Sequence, residues 1–417
     1  MNETRYYKYY FFLLVILCTW FSTIVAPPMP IRLVYLVALI IPAYLYAPNL
    51  LVPVLACFTS VAAYGFSCSY MPTELHYYLI IMFPLLGFGL QKNLKTQRPS
   101  VLFTCFCLYV LCIDLLKGGK LENIDYSILV VLISFFFVSK DGHEESSYIL
   151  SFIMVSLIIC LYFFTYGQSG TVEVSEDGRT AWKDSNYLGN VCGMGIVLAY
   201  NVLVNNLYTN KKFKYLCLLT VIVGVIMIVL NASRGAFLSM TVAITIITLF
   251  ARIKTSSKFG IVIAVSLSVV TMYSLGLFEV LEERVMSDDG TGNARTIIWA
   301  AKLDAYSQLS LLEKVFGSGY RRGFELAIPG GFGFHSDYIA WLVDYGIVGL
   351  LFFISLLIYP LKLVWDRQSQ RPIVLSLILF LATCCSTLEP LTAGRLAYWY
   401  FYMLIVLFAR WSSQQTN

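Results

Sequence analysis

Long apolar stretches follow one another along almost the whole chain, and short polar stretches separate them. Neither CLLTVIVGVIMIVL at 217–230 nor SSYILSFIMVSLIICLYFF at 146–164 alternates between apolar and polar positions. Apolar runs of about 20 residues are typical of membrane-spanning α-helices, whereas the strands of a membrane β-barrel alternate with a period of two. The pattern therefore predicts an all-α polytopic membrane protein.

The apolar runs predict about 12–14 membrane-spanning helices in a single integral membrane domain over residues 1–417. We place them at 9–26, 31–46, 50–66, 77–91, 100–116, 125–139, 147–166, 186–206, 214–231, 236–251, 259–278, 336–360, 373–387 and 395–410. The first run follows Arg5 and Lys8 and is not followed by a convincing small-residue cleavage site. We therefore expect it to be retained as a signal anchor.

Composition supports this class of protein. Hydrophobic residues make up 59% of the chain and charged residues only 13%, whereas about 25% of the residues in a soluble domain are charged. Nearly all of the 11 cysteines lie inside apolar runs. There they behave as small hydrophobic residues, so neither a disulfide framework nor a metal site is expected from them.

Basic residues are concentrated in one set of alternate loops, and lysine and arginine favour the cytoplasmic side of a membrane. These loops are QKNLKTQR at 91–98, NKKFK at 210–214, RIKTSSK at 252–258 and KLVWDRQSQR at 362–371. With these loops in the cytoplasm, both termini are cytoplasmic. The two longer loops, 167–185 and 279–335, then face outward. Loops longer than about 12–15 residues are often functional.

Four residues on the predicted outer face are candidate site residues. Arg179, Arg234 and Arg295 adjoin small or helix-starting residues in DGRT, SRG and NART. A guanidinium group suits phosphate, and a helix start adds free N–H groups. His335 precedes a long apolar helix and is a candidate base, because histidine has a pKa near about 6.5. Each residue alone also fits an interfacial anchor, a salt-bridge partner or a helix cap.

Two weaker patterns leave further alternatives open. The segment SDDG at 287–290 is similar to the acid pair of a metal-dependent glycosyltransferase, but a single acidic pair also fits a solvated loop. Several aromatic residues near the outer face could stack on sugars or could form an interfacial belt. They are Trp182, Trp299, Trp341, Tyr320 and Tyr338.

Four segments in the second half of the chain carry distinctive motifs. They are DGRTAWKDSNYLGNVCGMG at 177–195, LNASRGAFLSM at 230–240, GNARTIIWAA at 292–301, and LLEKVFGSGYRRGFE at 311–325 with GFHSDYIAWLVDYGIVGLLFF at 333–353. The last of them combines a G-x-G-Y stretch, a histidine at a helix start and a G-I-V-G step within that helix. Together, in this order, the four segments resemble the O-antigen ligase and O-antigen polymerase superfamily.

The resemblance implies a fold like that of C-type membrane glycosyltransferases, with a long periplasmic loop before the third-last helix. It also implies that a glycan is transferred from undecaprenyl pyrophosphate to an acceptor outside the bacterial cytoplasmic (inner) membrane. Inversion is expected, and neither a metal nor another cofactor is needed. By motif position, His335 would activate the acceptor hydroxyl, Arg179 and Arg295 would bind the pyrophosphate, and Arg234 would support them.

The acceptor is left open by the resemblance. An O-antigen ligase, which is the label that we adopt, would transfer the glycan to lipid A–core in lipopolysaccharide biosynthesis. A polymerase would join it to a second lipid-linked repeat unit. A lipid-linked oligosaccharide flippase or other transporter would carry ionisable groups inside its spans, whereas here they lie at the outer ends. An inactive sensor or scaffold is disfavoured, because His335, Arg179 and Arg295 are all in place.

Overall fold

The computed structural model describes residues 98–118, 126–138, 145–166, 173–174, 180–181, 185–208, 210–231, 233–251, 253–276, 295–320, 333–388, 390–392 and 396–411. Four predicted helices, those at 9–26, 31–46, 50–66 and 77–91, lie outside these residues. The same holds for Arg179 and for the segment SDDG at 287–290.

The described residues form twelve α-helices, which we number in chain order. They are α1 Val101–Gly118, α2 Tyr126–Ser134, α3 Glu145–Tyr166, α4 Ser185–Val204, α5 Lys211–Leu230, α6 Arg234–Phe250, α7 Thr255–Ser274, α8 Arg295–Gln308, α9 Leu311–Phe316, α10 Asp337–Leu363, α11 Arg371–Thr387 and α12 Leu396–Trp411. A 3₁₀ turn, Phe135–Phe137, continues α2. The predicted all-helical class is thus confirmed for this part of the chain.

A small antiparallel ribbon lies in the first of the two longer loops. Its strands are β1 Glu173–Val174 and β2 Thr180–Ala181, and Glu173 pairs with Ala181. The ribbon is too short to change the fold class.

Among the described helices, three are long and apolar enough to cross a membrane, namely α4 from Asn186, α5 and α10. Shorter apolar helices accompany them in α3, α6, α11 and α12. These are the features of a helical membrane protein, because a spanning helix must satisfy its own backbone within an apolar surrounding.

Helix α12 lies at the centre of the bundle. Almost every residue from Leu396 to Trp411 is buried, around the whole circumference of the helix. It packs against α2, α3, α4, α10 and α11. A helix that is apolar on all sides belongs in such a central position, because no face of it favours water.

Within its described residues, 295–320 and 333–335, the long loop predicted at 279–335 contains the helices α8 and α9. Helix α9 begins with a capping box, in which the Ser310 hydroxyl accepts from the Glu313 N–H and the Glu313 carboxylate accepts from the Ser310 N–H, both at 3.3 Å. Lys117 at the end of α1 forms a salt bridge of 3.4 Å with Glu313. The loop is therefore an ordered part of the fold where it is described.

Helix α10 is broken at Gly346, where the backbone adopts φ 67° and ψ −173°. The break removes the helical hydrogen bonds of the carbonyls that precede it. Other groups replace them: the Ser318 hydroxyl donates to the Val343 carbonyl at 3.0 Å, and the Gly319 N–H donates to the Asp344 carbonyl at 2.9 Å. Buried backbone carbonyls need such partners, so residues 317–320, which we call the glycine loop, complete the broken helix.

Helix α1 supplies the remaining partners. The Tyr109 hydroxyl lies 2.8 Å from the carbonyl oxygens of both Tyr345 and Phe316, so it bridges α10 and the end of α9. The buried carboxylate of Asp114 accepts from the Tyr320 N–H at 3.1 Å and from the Tyr345 hydroxyl at 3.4 Å. Helix α1 thereby holds the glycine loop against α10.

Two glycines allow the backbones to approach closely at this joint. A Cβ atom at Gly346 would overlap the Val315 carbonyl and lie 2.6 Å from the Gly317 nitrogen. Gly317 itself has φ 95°, and a Cβ there would overlap the Asp344 carbonyl. The G-x-G-Y stretch and the G-I-V-G step therefore pack directly against each other.

We predict that Gly346→Ala destabilises the protein. Positive-φ strain and overpacking each cost on the order of 1–3 kcal/mol. Gly260→Ala in α7 is the matched control, since a Cβ there would meet nothing within 4 Å and alanine favours a helix. Thermal unfolding in detergent should show a lower midpoint for Gly346→Ala alone. Equal midpoints for the two variants would contradict the close contact.

Candidate functional site

Several helix ends meet at one end of the bundle, which we call the site end. A Cβ at Gly189, near the start of α4, would lie 2.9 Å from the Cβ atoms of Ser233 and Ala236 at the start of α6. A Cβ at Gly235 would lie 3.0 Å from the hydroxyl of Thr387, the last residue of α11. The starts of α4 and α6 and the end of α11 are therefore in contact.

The start of α10 is anchored at the same end by Asp337. This carboxylate is fully buried, and it accepts from the N–H groups of Leu391 and Thr392 at 3.1 and 2.8 Å and from the Thr392 hydroxyl at 2.6 Å. The Asp337 N–H in turn donates to the Leu388 carbonyl at 3.0 Å. Asp337 thus fixes the first turn of α10 to the connection between α11 and α12.

His335 lies two residues before this anchor. Its backbone has φ 52°, a left-handed conformation that is uncommon for a residue other than glycine. Such a conformation persists only where its surroundings hold it. The partly buried imidazole therefore has a defined place at the site end.

Arg295 is the first residue of α8, and its positive charge interacts electrostatically with the imidazole of His335. Burial lowers the pKa of His335, and the Arg295 guanidinium lowers this pKa further. Both effects disfavour the imidazolium form. The structure thus brings together two of the predicted site residues, in surroundings that favour the neutral imidazole.

Helix α8 packs against α10 and holds the residue that precedes His335. The Trp299 indole N–H donates to the Phe334 carbonyl at 2.9 Å. The Lys302 ammonium lies 5.1 Å from the centroid of the Phe334 ring. These contacts give the turn at 334–335 a second attachment besides Asp337.

Arg234 is the first residue of α6 and is partly buried at the site end. It therefore lies at the same end of the bundle as His335, and its predicted role at the site stays a prediction. Arg179 lies outside the described residues, so its predicted place beside the others stays a prediction.

One residue has a different role from the one expected, and two further residues were not predicted to matter. Trp341 neither faces sugars nor forms an interfacial belt, because it is buried in the core with its ring 5.0 Å from Phe106 and 4.6 Å from Tyr345. Sequence reasoning missed the anchoring role of Asp337, although an acidic residue at the start of an apolar helix was the available signal. It also missed the burial of Lys302, which no pattern in the sequence indicates.

The bundle of long apolar helices is typical of a membrane protein, and at one end of it a histidine lies within the electrostatic influence of an arginine. Residues 219–354 match the sequence model of the O-antigen ligase family. This match confirms the resemblance to the O-antigen ligase and polymerase superfamily over that part of the chain. The matched 136 of 417 residues include Arg234, Arg295, His335 and both glycines of the joint. Among curated proteins, none matches this chain.

We predict that Asp337→Asn loosens the start of α10. Asparagine has one acceptor oxygen, so its amide group would face the N–H of either Leu391 or Thr392. A buried donor left without a partner costs about 1–3 kcal/mol. The exposed Asp366→Asn is the matched control. A lower thermal midpoint is expected for Asp337→Asn only, and an unchanged midpoint would contradict the anchor.

Proposed function

We propose that this protein transfers a glycan from undecaprenyl pyrophosphate to an acceptor hydroxyl at the site end, and that it acts as an O-antigen ligase with lipid A–core as the acceptor. The superfamily match supports ligase- or polymerase-type activity in general. The observation that carries the proposal is the partly buried His335 beside Arg295, because burial and, to a smaller extent, the guanidinium charge favour the neutral imidazole. A neutral imidazole is the form in which histidine acts as a base.

In the proposed reaction the acceptor O–H gives its proton to His335 while its oxygen attacks the anomeric carbon of the donor sugar. The new C–O bond forms as the bond from that carbon to the pyrophosphate oxygen breaks, and the pyrophosphate keeps the electron pair. Attack from the side opposite the leaving group inverts the anomeric centre. The developing negative charge needs fixed positive groups, which the arginines supply without a metal or other cofactor.

Arg295 is the first pyrophosphate ligand in this proposal. It begins α8, and the first N–H groups of a helix lack intrahelical partners and favour anions. Arg234 begins α6 at the same end of the bundle and has the same advantage. Arg179 is proposed as a further ligand on the strength of its sequence motif.

We propose that the site end faces the periplasm from the inner membrane and that both termini are cytoplasmic. Lys211 and Lys212 begin α5, whose opposite end leads to Arg234. Lys254 caps the start of α7, at the far end of α6 from Arg234. Basic loops favour the cytoplasm, so this distribution of lysines supports a site end on the outer side.

The decisive experiment uses the purified protein in nanodiscs with one undecaprenyl-pyrophosphate-linked repeat unit and no other acceptor. A ladder of doubled and longer glycans would identify a polymerase and would overturn the ligase proposal. With no ladder, lipid A–core is then added. Its glycosylation would support the ligase, whereas no product with either acceptor would count against transfer altogether.

We predict that His335→Ala abolishes transfer, because no other group in the proposal takes the acceptor proton. Loss of a positioned base typically costs a factor of about 10²–10⁴. His143→Ala, at one of the three histidines of the chain, is the matched control. Product formation is measured with protein of equal yield and thermal midpoint. Full transfer by His335→Ala would remove this residue from the mechanism.

We predict that Arg295→Gln shifts the pH profile. In the unmodified protein the lowered pKa of His335 keeps the base neutral, and the rate should fall only when the pH drops below that pKa. Removal of the Arg295 charge raises the pKa, so the acid limb should move to higher pH. Arg295→Lys keeps the charge but loses the planar fork, so it should slow transfer without that shift. An unmoved acid limb in Arg295→Gln would contradict the electrostatic coupling.

A further inference from the structure

We propose that Trp299 and Lys302 are positioning residues, which hold His335 in its working conformation by clamping Phe334 onto α8. The proposal rests on the proposed function, in which His335 is the base. It concerns a different question, namely what keeps this histidine in place beside Arg295.

The inner face of α8 is unusual in its chemistry. Arg295, Trp299, Lys302 and Tyr306 recur at positions i, i+4, i+7 and i+11, so they lie along one stripe of the helix. The opposite side exposes apolar residues such as Ile297. Helix α8 therefore turns two cations inward, toward the start of α10, and an apolar side chain outward.

Trp299 acts directly on the backbone next to His335. The Phe334 carbonyl, which accepts its N–H at 2.9 Å, belongs to the same planar peptide unit as the His335 nitrogen. The bond therefore fixes one side of the His335 φ angle. Asp337 fixes the chain two residues further on through Leu391 and Thr392. These two anchors hold the φ angle of His335 at 52°, although this value is intrinsically unfavourable.

Lys302 strengthens the same attachment. It is fully buried, a rare position for lysine, and its ammonium group lies over the Phe334 ring at 5.1 Å. A cation and an aromatic face attract each other more strongly away from water. Lys302 and Trp299 thus hold the ring and the carbonyl of one residue.

The clamp has a consequence for the site. Helix α8 carries Arg295 at its first turn and holds the His335 turn through the next two turns. The spacing between the proposed pyrophosphate ligand and the proposed base is thereby set by one rigid element. Among the described residues, the charged groups at this turn include Arg295 and Lys302 from α8 and Asp337 from α10.

The test compares Trp299→Phe with Trp365→Phe, whose ring is exposed after the end of α10. Trp299→Phe keeps a ring but loses the N–H donor. We expect a loss of kcat of about 10- to 100-fold, since small displacements of catalytic groups have effects of this size. Trp365→Phe should leave kcat unchanged.

A second readout separates positioning from mere stability. In a chain with His76→Gln and His143→Gln, His335 is the one remaining histidine, so nuclear magnetic resonance of labelled histidine reports its pKa alone. Release of the clamp should expose the imidazole and move it from Arg295, so its pKa should rise toward about 6.5. A structural role alone would lower the thermal midpoint and leave this pKa in place.

Lys302 is tested by Lys302→Met, which removes the charge, and by Lys302→Arg, which keeps a cation over the ring. We expect the first to reproduce the losses of Trp299→Phe and the second to restore much of kcat. Lys212→Met, at an exposed lysine of α5, is the matched control. If Trp299→Phe cannot be obtained folded, Phe334→Leu removes the clamped ring and should raise the His335 pKa in the same direction.

The outcomes distinguish the two proposals. Transfer by His335→Ala would overturn the proposed role of this histidine, while the resonance measurement would still decide whether the clamp exists. A different set of results would overturn the clamp alone. In that set His335→Ala is inactive, whereas Trp299→Phe and Lys302→Met keep the wild-type kcat and an unchanged His335 pKa.

Discussion

The structure depends on how the carbonyls freed by the break in α10 regain hydrogen-bond partners. In apolar surroundings a backbone group without a partner costs several kcal/mol, so a helix broken at Gly346 persists only if donors are brought to it. The glycine loop brings Ser318 and Gly319, and α1 brings Tyr109. The need to satisfy three carbonyls thus joins segments that are distant in sequence.

The same constraint prepares the site. Once the glycine loop is fixed to α10, helices α8 and α9 lie on the bundle next to the start of α10. Asp337 then ties that start to the connection between α11 and α12. The chemistry proposed for His335 and Arg295 therefore takes place on a framework made of backbone contacts and one buried carboxylate.

Much of the fold could be predicted, because the long apolar runs set the positions and lengths of the helices. Helix α8 escaped prediction because its buried face carries Arg295 and Lys302, which hides the usual apolar period. The stretches around Gly317 and Gly346 could be recognised as motifs. Their mutual contact could not, since glycine has no side chain to suggest a partner. His335 and Arg295 could be selected from residue type and motif, whereas the Asp337 anchor depends on residues more than 50 positions later.

The order in which the chain is synthesised gives the Asp337 anchor a further meaning. Tyr109 and the glycine loop precede Tyr345 in the chain, so the partners of the broken middle of α10 have already been synthesised when it emerges from the ribosome. Asp337 must wait for Thr392, which follows 55 residues later. At about 5–20 residues per second, this interval lasts roughly 3–11 seconds. The turn that carries His335 therefore gains this anchor only after α11 has been synthesised, so a nascent protein that still lacks α11 also lacks the Asp337 anchor.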